Sequence, residues 1–252
     1  MRLNQVIQSV RDAYDRYNFM EVYRTIFNFL TNDLSAFYLD FAKDIVYIET
    51  ANSTERRRMQ TVMYDVLVKL TKLLVPIVPH TAEEIWTYLE QEEEAYAYLT
   101  EMPSAELIPD AAEMLDFWSA FLEFRTSVHK ALEMARDEKV IGKSLEASVT
   151  VYPDEATKVL LASVAETENV ATLLIVSEFI VSHQAAPENA VKVGDTAITV
   201  AHASGEVCQR CRRIDETVGT NANPHLAEFC DHCASIVTAE FPDAVAEGFE
   251  VK

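Results

Sequence analysis

Residues 3–17 of this 252-residue chain read LNQVIQSVRDAYDRY, the clearest helical pattern in the sequence. The apolar side chains recur at intervals of three and four residues, which places them in one stripe along an α-helix. The stripe is in register two residues after the initiator methionine, with no capping residue before it. We therefore expect a helix at the start of the chain, cut from a longer polypeptide.

Four more helices are predicted before residue 136. Asn18 and Thr81 each stand three residues before a glutamate, the spacing of a capping box, and Ser53 or Thr54 can cap another helix. Residues 115–135 repeat the apolar spacing in a long helix. Five helices with short connections predict an antiparallel helix bundle.

The pattern changes after Gly142. Residues 147–152 and 197–201 alternate with period two, and residues 173–181 are rich in Leu, Ile and Val, so all three stretches predict strands. A helix over about residues 154–164 is expected between the first two. The sequence therefore predicts a small α/β subdomain.

The composition agrees with a mainly α fold. Hydrophobic residues make up 49% of the chain, which excludes disorder, and only 5 glycines argue against a glycine-rich dinucleotide fold or a turn-dense all-β barrel. We expect three domains: a helix bundle over residues 1–144, a small mixed α/β junction over 145–203, and a zinc module, a knuckle or ribbon, over 204–252.

The charge is strongly acidic but regional. The chain has 41 acidic and 21 basic residues, a formal charge of −20, which by itself argues against binding nucleic acid. Residues 1–80 hold 10 basic and 9 acidic side chains, whereas residues 81–120 hold 11 acidic and no basic ones, including the run Glu92–Glu94. This acidic stretch is expected to be a solvated face or loop. Because the sequence shows neither a signal peptide nor a membrane span, a cytoplasmic location is expected.

The four cysteines form one constellation. Cys208 and Cys211 make one C-x2-C pair, and Cys230 and Cys233 make another 18 residues later. Such pairs fold a short loop around a tetrahedral zinc ion, each pair supplying two thiolates from one turn. Rubredoxin-like iron and a pair of disulfides are the alternatives. Four thiolates leave no position for water, so one structural Zn²⁺ per chain is expected.

Two histidines near the cysteines are not expected to be ligands. His232 lies inside the second pair and His225 just before it, but four cysteines already fill the tetrahedron. Elsewhere the chain has no recognisable catalytic motif: no G-x-S-x-G, H-E-x-x-H, GxxxxGK[ST] or GxGxxG. No catalytic residue is predicted.

Basic side chains accompany the cysteine motif. Arg210, Arg212 and Arg213 lie within or directly after the first pair. They can balance the net negative charge of four thiolates and one zinc ion, or form an exposed patch for phosphates and base edges. The two interpretations are compatible.

Two other basic clusters lie at helix ends. Arg56, Arg57 and Arg58 open the third predicted helix, where cations oppose the helix dipole, so carboxylates of the protein or a nucleic-acid backbone should compensate them. Lys139 and Lys143 follow the fifth predicted helix, where positive charge suits the dipole.

Several stretches resemble a known family. Residues 33–40 (DLSAFYLD) with Lys43, Asp44 and Tyr47, residues 57–60 (RRMQ) and residues 76–86 (PIVPHTAEEIW) resemble the anticodon-binding helical domain of class I aminoacyl-tRNA synthetases. Residues 139–147 (KVIGKSLEA), after Val128, Ala131, Leu132, Glu133 and Arg136, are similar to the isoleucyl-tRNA synthetase family in particular. The cysteine pairs resemble the C-terminal zinc module of the bacterial form.

The resemblance implies the tRNA-binding C-terminal part of an isoleucine–tRNA ligase, an ATP-dependent enzyme. The implied partners are the anticodon stem-loop of isoleucine tRNA and the catalytic and editing domains of the same protein, with no membrane and no DNA. The HIGH and KMSKS motifs and the editing domain of the family are absent from these 252 residues. The chain alone is therefore expected to be non-catalytic.

The resemblance also guides the choice of tRNA-binding residues. Readers of RNA loops use arginine donors and aromatic faces against unstacked bases. The candidates are Arg210, Arg212 and Arg213 on the zinc module, with Arg57, Arg58, Lys139 and Lys143 as backbone contacts. Arg212 stands where the family often has tryptophan, which weakens the expectation of stacking there. The alternative function is a zinc-ribbon scaffold for protein interaction or transcription.

Overall fold

The computed structural model describes residues 1–89, 94–193 and 196–248, so Glu92 and Glu93 of the acidic run lie outside the described residues. The chain falls into two compact units. Unit 1 comprises Met1–Val46 and Ala51–Leu115, and unit 2 comprises Tyr47–Thr50 and Asp116–Lys252. These two units do not test the predicted division into three domains, which remains a prediction. Within the described ranges, no helix combines the length and the apolarity needed to span a membrane.

Unit 1 is built from helices. They are α1 (Arg2–Asp15), α2 (Phe19–Asn28), α3 (Leu39–Ile48), whose last two residues belong to unit 2, α4 (Thr54–Leu74) and α5 (Pro79–Trp86). The predicted stripe of α1 packs with α2 and α4 in a core of fully apolar side chains. Its buried members are Leu3, Val6, Ile7, Val10, Ala13, Val22, Ile26, Phe29, Leu70 and Leu73.

Two predicted helix starts are confirmed. The Asn18 side chain accepts a hydrogen bond from the backbone N–H of Glu21 at 3.2 Å, and Ser53 Oγ accepts one from the N–H of Arg56 at 3.2 Å. Each bond satisfies one of the N–H groups that the first helical turn leaves without a partner.

The predicted capping box at Thr81 is wrong. Helix α5 begins two residues earlier, at Pro79, with Val78 at the N-cap and no side-chain cap. Proline suits the first helical position because its φ is already helical and it has no N–H to satisfy. Glu83, in the same helix, accepts hydrogen bonds from the N–H groups of Ala97 and Tyr98 at 3.0 and 2.9 Å.

The helical region that begins after the predicted cap at Asn18 is less regular than a single α-helix. After α2 the chain stays helical but widens into a π-helical segment, Phe29–Tyr38, which leads directly into α3. Within this segment the Thr31 hydroxyl donates to the carbonyl of Phe27 at 2.6 Å. Helix α3 was not predicted, because a π-helical stretch interrupts the period of 3.6 on which the pattern depends.

Unit 2 begins with most of the long helix α6 (Ala111–Asp137), the predicted fifth helix. The helix ends in a left-handed residue, Lys139, with φ of 60°. The N–H of Lys139 donates to the carbonyl of Arg136, and the N–H of Val140 to that of Ala135. This is the Schellman arrangement, which satisfies carbonyls that would otherwise end the helix unpaired.

A four-stranded mixed sheet follows α6, where a small α/β subdomain with three strands was predicted; the strand Val191–Val193 was not predicted. Its strands are β1 (Ala147–Tyr152), β2 (Glu178–Val181), β3 (Val191–Val193) and β4 (Thr196–His202), in the order β2-β1-β4-β3. β1 pairs with β2 in parallel and with β4 in antiparallel orientation. Two helices, α7 (Glu155–Ala165) and α8 (Val170–Leu174), connect β1 to β2.

The strand predicted over residues 173–181 is partly wrong. Its first two residues close helix α8, which Asn169 caps by accepting from the N–H of Thr172 at 3.1 Å. Ile175 then turns the chain in a left-handed conformation with φ of 58°, and only residues 178–181 form a strand. A short apolar run fits a buried helix and a strand equally well, so periodicity could not separate them.

The last part of unit 2 was predicted only as a zinc module. It consists of a small hairpin, β5 (Glu206–Val207) with β6 (Ile214–Asp215), followed by α9 (Asp231–Glu240) and α10 (Pro242–Glu247). Gly205 opens the hairpin with φ of 109°, and a Cβ there would lie 2.4 Å from the backbone of Asp215. Only glycine fits this close approach. The fold is thus mostly helical, with a small mixed sheet and a four-cysteine cluster.

Candidate metal centre and nucleic-acid interface

Two short turns carry the four cysteines. Cys208 directly follows β5 and Cys211 lies in the turn before β6, whereas Cys230 precedes α9 and Cys233 lies in its first turn. The N–H of Cys208 donates to the carbonyl of Arg213 at 2.8 Å, which folds the first turn back on itself. Each C-x2-C pair therefore offers two sulfurs from one turn of backbone.

The four Sγ atoms converge on one point. They all lie within 4.8 Å of one another, and the Sγ atoms of Cys211 and Cys230 are 3.9 Å apart. A tetrahedral zinc ion with Zn–S bonds of about 2.3 Å places its sulfurs about 3.8 Å apart, whereas a disulfide needs about 2.05 Å. The cysteines are thus positioned to bind one metal ion, and the disulfide alternative is wrong.

The crowded thiols change one another's ionisation. The hydrogen bond with Cys211 lowers the pKa of Cys208 far below its ordinary value, and the same bond raises the pKa of Cys211 far above it. Four thiolates at this spacing repel one another unless a cation lies between them. A divalent metal ion therefore lets all four ionise together.

The surroundings of the cysteines are largely apolar. Cys208, Cys230 and Cys233 are buried, and Cys211 is half-buried. Side chains of Ile48, Val218 and Phe229 pack against them. The N–H of Cys230 also points at the sulfur of Cys208 at 3.4 Å, a contact that favours the thiolate form. Burial and four sulfur ligands fit a closed structural site rather than a catalytic one.

The two nearby histidines have other partners. His232 Nε2 lies 2.9 Å from Glu49 Oε1, and the imidazole is otherwise exposed. The backbone N–H of His225 donates to the side chain of Asn223. Neither histidine belongs to the group of side chains that could hold a metal ion.

The three arginines of the first turn differ in their contacts. Arg210 Nη1 points at Cys233 Sγ at 3.8 Å, and its Nη2 donates to the carbonyl of Ile48 at 2.5 Å. Arg213 Nη2 donates to Thr172 Oγ1 at 2.8 Å. Arg210 and Arg213 are half-buried, whereas Arg212 is exposed. Within this turn, Arg212 is therefore the side chain best placed for an external partner.

Two protein families match the chain. The family described as the anticodon-binding domain of tRNA ligase matches residues 1–151, more than half of the chain. The chain belongs to this family. In this anticodon-binding protein, residues 205–236 also match the zinc finger found in FPG and IleRS, a span that contains all four cysteines. The metal is therefore zinc rather than iron, with one ion for the four cysteines.

The chain is also similar to whole synthetases. It is 60% identical over 253 residues to the isoleucine–tRNA ligase of Lactococcus lactis, covering 99% of this chain and 27% of that protein. It is 58% identical over 250 residues to the isoleucine–tRNA ligase of Streptococcus sanguinis, covering 99% and 26%. The corresponding protein of Streptococcus gordonii is 58% identical over 252 residues, covering 100% and 27%.

The anticodon-binding chain thus spans about a quarter of the length of these relatives. The resemblance inferred from residues 33–40, 57–60, 76–86 and 139–147 is confirmed. The matches give no support to the alternative of a zinc-ribbon scaffold.

The other basic candidates are exposed but lie in different units. Arg57 and Arg58 are on the first turns of α4 in unit 1, and Arg57 Nη1 reaches the Gln60 side chain at 3.4 Å. Lys139 and Lys143 lie after α6 in unit 2, and both are exposed. Unit 2 therefore holds five of the seven predicted tRNA-binding residues.

The segment Tyr47–Thr50 makes contacts that were not predicted. It consists of the last two residues of α3 and the two that follow, and it belongs to unit 2, where Ile48 and Glu49 contact the zinc module. Tyr47 entered the prediction only as part of the family resemblance. No local signal could have placed these residues, because their partners are more than 160 positions away in the sequence.

Proposed function

We propose that this chain is the tRNA-binding part of an isoleucine–tRNA ligase. It recognises the anticodon stem-loop of isoleucine tRNA and positions that tRNA for ATP-dependent aminoacylation by a catalytic domain elsewhere in the protein. The observation that carries the proposal is the 60% identity of 99% of this chain to an isoleucine–tRNA ligase. The matches of residues 1–151 to an anticodon-binding domain and of residues 205–236 to a zinc finger support it. The chain alone is non-catalytic, and it acts in the cytoplasm.

The zinc site contributes structure to this function. Zinc bound by Cys208, Cys211, Cys230 and Cys233 supplies a tetrahedral crosslink and no reactive position. Contact with the RNA is made by side chains of the protein. The turn between Cys208 and Cys211 and the residues directly after it are held rigid, so Arg212 extends from a fixed backbone, with φ of 66°. A fixed donor loses less entropy when it binds RNA than a mobile one does.

The arginines and lysines have different proposed roles. Arg212 is exposed and its one described side-chain bond, Nη1 to Gln209 Oε1 at 2.8 Å, lies at the surface, which leaves the guanidinium accessible to a loop base or phosphate. Arg57, Arg58, Lys139 and Lys143 are proposed contacts to the RNA backbone. Arg213 is kept as a weaker candidate, because it already bonds Thr172.

The acidity of the chain fits this proposal when it is considered by region. The acids of residues 81–120 are expected to face away from tRNA, since phosphates and carboxylates repel each other. The exposed basic residues are the ones expected to approach it. The predicted domains 1–144, 145–203 and 204–252 remain part of the proposal as anticodon bundle, junction and zinc module.

Binding to two tRNAs tests the proposed function. The zinc-loaded chain should bind isoleucine tRNA more tightly than the same tRNA with a changed anticodon, and the logarithm of affinity should fall linearly with that of salt concentration. Arg212→Gln should weaken binding. It should also reduce the slope of log affinity against log salt concentration by roughly one, the loss expected for one phosphate contact. Lys158→Gln, at a half-buried lysine paired with Glu155 on α7, is the control. Equal affinity for both tRNAs, or binding insensitive to salt, would contradict the proposal.

A further inference from the structure

The segment Tyr47–Thr50 is held by the zinc module. Three contacts hold it: Arg210 donates to the carbonyl of Ile48, the Ile48 side chain packs against the cysteines, and His232 bonds Glu49. The residues on either side of the segment belong to unit 1, whereas these four belong to unit 2. The zinc module therefore determines the position of a short segment, the end of α3 and the two residues after it, that lies far from it in sequence.

Arg210 links this segment to the metal site directly. One planar guanidinium reaches both Cys233 Sγ, at 3.8 Å, and the Ile48 carbonyl. A zinc ion with four thiolates carries a net charge of about −2, so it holds the guanidinium by charge-assisted contacts. Without zinc no metal crosslink joins the four cysteines, so the turn that carries Arg210 is less fixed and its bond to the Ile48 carbonyl weakens.

Tyr47, directly before the anchored Ile48, is exposed to solvent. Its side chain is 80% exposed, although the residue after it is bonded through its backbone carbonyl to Arg210. An exposed aromatic ring on an anchored backbone can stack on an unpaired base with little loss of entropy. Arg212, from the turn that carries Arg210, is exposed in the same unit.

We propose that Tyr47 stacks on an unpaired base of the bound RNA loop, and that Arg210 is the positioning residue that makes this contact depend on zinc. Arg210 itself does not touch the RNA, because both ends of its guanidinium are engaged by the protein. The stacking part rests on the proposed function, whereas the link from zinc through Arg210 to residues 47–50 does not.

Hydrogen exchange of the free protein tests the link. Arg210→Lys keeps the positive charge but loses the planar fork that spans sulfur and carbonyl. With one zinc still bound per chain, the amides of residues 47–52 should exchange about tenfold faster, the factor expected for loss of one charge-assisted hydrogen bond. Arg212→Lys, in the same turn, is the matched control and should leave them unchanged. Unchanged exchange in Arg210→Lys would overturn the positioning role.

Affinity measurements test the stacking. Tyr47→Ala should weaken tRNA binding roughly tenfold without changing the salt slope, because the lost contact is neutral. Tyr47→Phe should restore affinity, since stacking needs only the ring. Tyr88→Ala, a tyrosine of unit 1 that is 79% exposed, is the control and should have no effect. A Tyr47→Ala protein that binds like the Tyr88→Ala protein would overturn the stacking role.

A double substitution separates the two parts. If Arg210 acts through Tyr47, then Arg210→Lys should weaken binding about as much as Tyr47→Ala, and the double variant should lose no more than either alone. Additive losses would mean that Arg210 contacts RNA independently and would contradict the positioning role. If the wild-type chain binds no tRNA, the proposed function and the stacking both fail, and the exchange experiment still decides the link.

Discussion

Unit 1 and the zinc module are stabilised in different ways. Ten apolar side chains from α1, α2, the π-helical segment and α4 form the main core of unit 1, so burial of hydrocarbon stabilises it. At the centre of the zinc module are instead three buried cysteines, with Ile48, Cys211, Val218 and Phe229 packed around them. A short segment with two-residue strands cannot bury enough apolar surface, and a metal crosslink takes the place of the missing core.

Removing the zinc should have the largest effect, and that effect should be confined to the zinc module and to residues 47–50, which the module contacts. Zinc-finger peptides gain about 10–16 kcal/mol from their metal, so chelation or Cys230→Ser should unfold the described part of the module, residues 204–248, locally. The helices of unit 1 should remain, because no metal ligand lies in them. Hydrogen exchange by region together with zinc content per chain measures both. Added zinc should reverse chelation but not the substitution, and equal loss of protection in α1 would contradict the comparison.

Opening a cavity in unit 1 should have the converse effect. Ile7 is fully buried in the apolar core, so Ile7→Ala should lower the free energy of unfolding of unit 1 by about 2–5 kcal/mol. Denaturant unfolding followed by circular dichroism measures the loss. Zinc content should stay at one per chain. Ser9→Ala, on the exposed side of the same helix, is the control, and a variant that also lost its zinc would show that the two regions are not independent.

Removing a helix cap in unit 1 should cost less. Ser53 Oγ accepts from the N–H of Arg56, and Ser53→Ala should lower the free energy of unfolding by about 1 kcal/mol. Ser53→Asp keeps an acceptor at this position and should keep most of the stability. Thermal unfolding of the three proteins compares them. If the alanine and aspartate variants were equally destabilised, the cap would not be the cause.

The cap of α7 in unit 2 should differ from the Ser53 cap in its pH dependence. Asp154 Oδ1 accepts from the N–H of Thr157 at 2.7 Å, and this bond lowers the pKa of Asp154. Its stabilisation is therefore complete above the unfolded pKa of about 3.9 and is lost as the pH falls through the lower folded pKa. An NMR titration of the carboxyl group measures this. Asp154→Asn keeps the acceptor without the titration, and a measured pKa at or above about 3.9 would contradict the assignment.

Local signals in the sequence predicted local structure well. The stripe of α1, the caps at Asn18 and Ser53, β1 and the cysteine pairs all depend on residues within a few positions of one another, and the structure confirms them. The errors occurred where two local patterns compete. Pro79 starts α5 ahead of Thr81, and the apolar run around Ile175 divides between a helix and a strand.

The roles of the arginines could not be predicted in the same way. In the sequence Arg210, Arg212 and Arg213 form one basic cluster. In the structure two of them are engaged by the carbonyl of Ile48 and the hydroxyl of Thr172, and one is exposed. These partners are 162 and 41 positions away. Spacing within the motif carries no information about contacts at such separations.

The sequence by itself determined the fold class and the four zinc ligands, because each depends on periodicity or on short fixed spacings. It also indicated the family, through the resemblance of several stretches to known synthetases. The tertiary structure alone decided that Tyr47–Thr50 belongs with the zinc module and that Arg210 connects this segment to Cys233. The physical reason is that a guanidinium contacts the donors and acceptors that folding brings near it. Those neighbours come from distant parts of the chain, and only the packed fold specifies them.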